Sequence, residues 1–261
     1  MSKGSLEISV ANGDNPTIKL TGEVDFHGAE AIRQAVGVLF AENTFSVNVD
    51  VADLEFIDSS GLSALLDAAK TARERGGAIH LVSPQPQLVH VLTIAGFSPY
   101  FHIAPKNGAP HRRQHPRPQP LNLNTWQVTE FETPARTELI ANVRNRVSGF
   151  AESLPFTRED LEDITLAVGE AASNALRYGC STAEDTIAVR CCSDGHSLRV
   201  QVEDSGPCFD PDAVAPPSME AFGEGGRGIY FMRILMDEVR FYLGPSGTTV
   251  EMVKYFSVDH P

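Results

Sequence analysis

Glu170 and Asn174 stand four residues apart in the run Val168-Gly169-Glu170-Ala171-Ala172-Ser173-Asn174-Ala175, so on a helix a carboxylate and a carboxamide share one face. A polar pair at that spacing describes any helix flank. Two further groups, downstream in the chain, point to chemistry. Asp204 ends an alternating stretch and precedes Ser205 and Gly206. A carboxylate there can accept a hydrogen bond from an exocyclic amine, and the glycine lets a flat ring approach the backbone. Gly223-Glu224-Gly225-Gly226-Arg227-Gly228 then leads into the apolar run Ile229-Tyr230-Phe231-Met232. Glycine amides beside a helix N-terminus make an anion site, for which phosphate is the natural ligand. In this order the three elements would build a nucleotide pocket.

A hydroxyl that could receive phosphate lies far upstream. Asp58-Ser59-Ser60-Gly61 comes directly after Leu54-Glu55-Phe56-Ile57, where a strand hands over to a helix. From the tetrapeptide alone Ser59 reads as the helix N-cap, a position that Ser and Asp favour. Phosphate on Ser59 would add nearly two negative charges at a helix N-terminus, where the dipole tolerates them. It would also sit beside Asp58 and near Asp25, where repulsion disfavours an acidic partner.

These residues need elements to hold them. Leu6 to Val10 and Thr17 to Thr21 alternate in the strand manner around Asn12-Gly13-Asp14-Asn15-Pro16, which reads as a hairpin. Ala29, Ile32, Val36 and Phe40 have helical spacing, and residues 45–51 read as a buried strand. After Ser60 a helix carries Leu62, Leu65, Leu66 and Ala69 and stops at Gly76-Gly77. A strand at 78–82, a helix at 87–95 and a short strand at 100–103 come next. Strands alternating with helices after a hairpin predict an α/β domain with a mixed sheet packed on helices.

The second segment opens with a strand around 124–131. Thr133-Pro134 predicts a capped helix start, running to about 150. Thr157-x-x-Asp160 opens another helix, with Leu161, Ile164, Val168, Ala171 and Ala175 as its core stripe and Gly179 as its stop. Counted at 100° per residue, the face of Glu170 and Asn174 points well away from that stripe. Strands at 186–192 and 197–204 form a hairpin, and a helix near 228–236 and strands at 239–243 and 248–255 close the segment. This predicts an α+β sandwich, helices on one face of a mostly antiparallel sheet.

The chain has 261 residues, with Pro-rich and apolar-poor residues at 105–120. The expected division is a first domain over 1–104, a linker over 105–120 and a second domain over 121–261. A net charge of −13 opposes direct binding to nucleic acid. No apolar run approaches the roughly 18 residues of a membrane span, and Met1-Ser2-Lys3-Gly4-Ser5 leads into a strand pattern, so a cytoplasmic protein without a membrane partner is expected. Cys180, Cys191, Cys192 and Cys208 lack paired spacing and read as reduced thiols. His80, His90 and His102 read as structural or solvated.

The ordered triple of the second segment resembles the nucleotide-binding fold of histidine kinases, Hsp90-type chaperones and gyrases, the GHKL or HATPase fold. Within it, Val168 to Ala175 is most similar to the anti-sigma-factor serine kinases, over about residues 125–257. That resemblance implies ATP and Mg2+ as cofactors. It assigns Asn174 to the metal, Glu170 as catalytic base and Asp204 to the adenine amine. It gives Gly206, Gly223, Gly225, Gly226, Arg227 and Gly228 to the base and phosphates, and makes the loop 207–222 part of an ATP lid. Leu20-Thr21-Gly22-Glu23-Val24-Asp25, Leu54 to Leu62 and Ile94-Ala95-Gly96-Phe97 resemble a STAS domain of the anti-sigma-factor antagonist type over about residues 5–104. In that family the phosphoacceptor maps onto Ser59, with Ser60 as the neighbouring choice. The two resemblances imply a partner-switching regulator, with a sigma factor, separate anti-sigma or antagonist proteins and a PP2C-type phosphatase as partners and a kinase-domain homodimer. A module that only binds ATP and docks partners is the alternative.

Overall fold

The computed structural model describes residues 6–11, 16–104, 127–180, 182, 185–206, 227–244 and 247–256. It divides into two compact units, Met1–Arg113 and Gln114–Pro261. The expected linker at 105–120 lies outside the described residues.

In the first unit, β1 (Glu7–Ala11) and β2 (Thr17–Val24) pair antiparallel, with Glu7 opposite Thr21. Then come α1 (Phe26–Ala41), β3 (Ser46–Ile57), α2 (Ser59–Glu74), β4 (Ala78–Val82), α3 (Pro86–Ile94) and β5 (Phe101–Ala104). Sheet order is β1-β2-β3-β4-β5, and β2 through β5 run parallel, so the sheet is mixed as the initial hairpin requires. Alternation along β2 buries Ile18, Leu20 and Val24. The stripe of α1 is Ala29, Ile32, Val36 and Leu39; Phe40 is half-buried against Phe45, with ring centroids 5.4 Å apart. Periodicity placed Phe40 in that stripe, but a helical face at 3.6 residues per turn admits i+3 as readily as i+4.

In the second unit, β6 (Gln127–Pro134), α4 (Ile140–Ala151), α5 (Arg158–Tyr178), β7 (Thr186–Ser193), β8 (Ser197–Glu203), α6 (Arg227–Leu235), β9 (Glu238–Gly244) and β10 (Gly247–Tyr255) succeed one another along the chain. The sheet order is β6-β7-β8-β10-β9, and every pair is antiparallel. Thr133-Pro134 does not start a helix. Both residues end β6, where Pro134 lies opposite Thr186, and an edge strand tolerates a missing N–H. The helix begins later, after a 3-10 turn at Thr137–Leu139, without a side-chain cap. Thr157 does cap α5: its Oγ1 accepts from Asp160 N at 3.2 Å while Asp160 Oδ2 accepts from Thr157 N at 3.0 Å.

The central part of α5 departs most from its sequence pattern. Every residue from Leu166 to Ser173 is buried, because α5 packs against α4 and α6 as well as against β7, β8 and β10. The face of Glu170, predicted to point away from the core, is therefore covered, and Glu170 is 2% exposed. No described helix is long and apolar enough to cross a membrane.

Candidate nucleotide site

The Glu170 and Asn174 side chains both reach the first turn of α6. A Cβ built on Gly228 would lie 2.8 Å from Glu170 Oε2, 3.0 Å from Asn174 Nδ2 and 3.2 Å from Asn174 Oδ1. Glycine is thus what lets the N-terminus of α6 approach both polar groups. Asn174 is half-buried and makes no side-chain hydrogen bond among the described residues, which leaves its amide oxygen available to a ligand. Arg227, the first residue of α6, is buried. Gly223, Gly225, Gly226 and the expected lid at 207–222 lie outside the described residues.

Asp204 comes directly after β8 and is held by backbone through its Oδ1 and its own N–H. Its Oδ1 accepts from Gly206 N at 3.0 Å and from Thr248 N at 3.3 Å, and its own N donates to Thr248 O at 3.0 Å. A Cβ on Gly179 would fall 2.1 Å from Asp204 Cγ, one on Gly206 2.3 Å from Gly179 Cα, and one on Gly247 1.9 Å from Asp204 O. Three glycines therefore form a slot that no side chain could share. Oδ2 makes no hydrogen bond among the described residues, so the carboxylate is oriented by one oxygen and presents the other. Thr248 Oγ1 is buried without a hydrogen-bond partner there. Such a group is costly unless a ligand or water completes it.

Thr248, Gly179 and Gly247 belong to this site but were not legible as site residues. Gly179 read only as a helix stop, while Gly247 and Thr248 carried no local signal of a site. Next to Gly179, burial first, then the charges of Asp185 and Asp204, push the Cys180 thiol up. Burial likewise pushes Cys191 to about 12. The described cysteines are free thiols, and Cys208 lies outside the described residues.

In the first unit the cap of α2 is Asp58. Its Oδ1 accepts from Ser60 N at 2.8 Å and Gly61 N at 3.0 Å. Ser59 is therefore the first residue of the helix and not its cap. Ser59 and Ser60 are 5% and 4% exposed. Asp25 caps α1 in the same manner, through His27 N and Gly28 N, both at 3.0 Å. Val24 lies opposite Ile57, and Asp58 N donates to Val24 O at 3.0 Å, so the two capping aspartates flank neighbouring strand ends.

Each unit matches a known domain. The family model of the histidine kinase-like ATPase domain matches residues 133–254, and that of the STAS domain matches residues 7–108. The chain belongs, through its second unit, to the family of the serine-protein kinase RsbW. It is 35% identical over 149 residues to RsbW of Bacillus subtilis strain 168, covering 52% of this chain and 92% of that one. To RsbW of Bacillus velezensis it is 37% identical over 143 residues, or 50% and 89% of the two chains. Among solved structures, an anti-sigma factor antagonist from Mycobacterium paratuberculosis aligns with 40% of this chain and 88% of its own, at 24% identity and a TM-score of 0.36.

Proposed function

We propose that the chain is a partner-switching regulator of sigma-factor activity, in which an ATP-dependent serine kinase is joined to a phosphorylatable antagonist-type STAS domain. The observation that carries the kinase reading is the approach of Gly228 to Glu170 and Asn174, since it sets a carboxylate and an open amide oxygen against a helix N-terminus suited to phosphate. At the other end of the pocket, Asp204 Oδ2 would accept a hydrogen bond from the exocyclic amine of adenine, and the buried Thr248 hydroxyl beside it would gain a partner.

Asn174 Oδ1 would hold Mg2+, which supplies charge neutralisation on the transferring phosphoryl group. Glu170 takes the proton of the attacking serine hydroxyl as the new O–P bond forms and the bond to the leaving ADP oxygen breaks. The first-turn amides of α6 orient the phosphates for that exchange. The acceptor is Ser59, reached within one chain or between two, or else the equivalent hydroxyl of a separate antagonist. A sigma factor or such an antagonist, a kinase-domain homodimer and an opposing PP2C-type phosphatase complete the cycle.

The 5% exposure of Ser59 favours a second reading. In it the STAS unit serves as a docking element and phosphate goes to a separate antagonist. Incubating the purified chain with Mg-ATP and mapping phosphate by mass spectrometry separates the two. Label on Ser59 that disappears in Ser59→Ala and Glu170→Gln supports the first reading. Absence of label from the parent removes self-phosphorylation.

A further inference from the structure

Lys254 lies on β10 with its side chain 12% exposed, and nothing in the phosphotransfer chemistry uses it. Its ammonium donates to Leu235 O at 2.7 Å and to Asp163 Oδ2 at 3.0 Å, and Asp160 Oδ1 is 3.8 Å away. Leu235 ends α6, Asp163 and Asp160 lie in the first turns of α5, and Lys254 itself shares β10 with Thr248. One ammonium thus joins the three elements that carry Gly228, Glu170 with Asn174, and Thr248. It does so far from the pocket: Leu235 is about 10 Å along α6 from Gly228, and Lys254 about 20 Å along β10 from Thr248, at ordinary helix and strand rises.

We propose that Lys254 is a positioning residue that sets where the N-terminus of α6 stands against α5, and hence the shape of the phosphate end of the pocket. The proposal rests on the ATP-site reading above. Three physical points carry it. A nine-residue helix is marginal alone and takes its place from what it packs on. The last carbonyls of a helix lack partners within it, and a cation is favoured at that end, so the bond to Leu235 O is a natural anchor. The clearance between Gly228 and Glu170 is also too small for α6 to slide: one residue of travel is about 1.5 Å, while a Cβ there already falls within 2.8 Å of Oε2. The adenine end depends on Asp204, Gly179, Gly206 and Thr248, none of which lies on α6.

Removing the ammonium alone would leave Asp163 without it in a buried place and could unfold the unit, so the test pairs Lys254→Met with Asp163→Asn. Isothermal titration of the full chain measures affinity for MgATP and for adenosine, and thermal unfolding reports folding. In the double variant, ATP affinity is expected to fall about tenfold with adenosine affinity within about twofold of the parent. Lys254→Arg, which keeps the charge and the donors, is expected to retain both. Unchanged ATP affinity in the double variant, or a parallel loss of both ligands, overturns the proposal by making Lys254 a plain stabilising contact. A parent that binds neither ligand overturns the site reading itself, and the positioning role with it.

Discussion

Gly228 faces Glu170 so closely that a methyl group on its Cα would sit 2.8 Å from the carboxylate Oε2. The position is in the first turn of α6, where the helix preference for alanine over glycine is smaller than the roughly 1 kcal/mol of a helix interior. Gly228→Ala is therefore expected to leave the unfolding temperature unchanged or higher while MgATP affinity falls by about tenfold or more, as Glu170 and Asn174 are pushed from their places. Calorimetry and thermal unfolding on one preparation check both signs.

Thr248→Val should also move stability and binding in opposite directions. The buried Oγ1 lacks a partner among the described residues, and its replacement by a methyl group of similar shape removes a desolvation cost of about 1–3 kcal/mol. The ligand-free protein should resist urea better, while nucleotide binding weakens because the adenine edge loses a hydrogen bond. Equal or lower stability without ligand would show that the hydroxyl already has a partner.

Glu170→Gln keeps the shape of the side chain and removes the base. Phosphoryl transfer should fall by about 10²–10⁴, with ATP affinity nearly unchanged. Asn174→Ala should instead weaken MgATP binding and leave adenosine binding intact. Single-turnover transfer assays alongside equilibrium titration distinguish the two effects.

Asp58→Ala removes the cap of α2, not the acceptor. The expected cost is about 1 kcal/mol of stability in the first unit, measured by denaturant unfolding. Ser59→Ala should cost less, since its side chain does not cap the helix, yet should abolish any label that the parent acquires at that position.

Acid should weaken the second unit through Glu251. Burial pushes this carboxyl up, but hydrogen bonds from Gln201 and Arg199, with the Arg199 charge, outweigh it and hold it below its ordinary value of 4.5. The folded form therefore keeps its charge to lower pH than the unfolded form. The resulting stability is complete above the unfolded value and is lost as pH falls from it through the lower folded one. Urea unfolding of Glu251→Gln between about pH 5 and 3 should show a shallower pH dependence than the parent.

The elements were legible wherever a local pattern decides them. β4 at Ala78–Val82 has the bounds that its alternation predicts, and the Thr157–Asp160 capping box forms because both partners lie within one turn. Thr133-Pro134 misled for the same reason: its cap-like chemistry is local, but pairing across β6 and β7 extends the strand over it. Glu170, Asn174, Asp204 and Gly228 could be selected from order and spacing, but not their surroundings. The burial of Glu170 depends on α4, α6 and the sheet together, and periodicity within α5 does not record how many partners a helix will have.

The sequence by itself determined the two units, the order and type of most of their elements, and Glu170, Asn174, Asp204 and Gly228 as candidates, because each rests on side-chain type at short separation. Tertiary structure alone decided that Gly228 stands against Glu170, that Asp204 is locked in a slot of glycines beside Thr248, and that Lys254 joins α5, α6 and β10. Those relationships depend on strand register and helix packing between residues far apart in the chain, as in the Thr248 to Asp204 bond across 44 positions. No local pattern encodes such a distance; it is set when the apolar faces of separate elements are buried together.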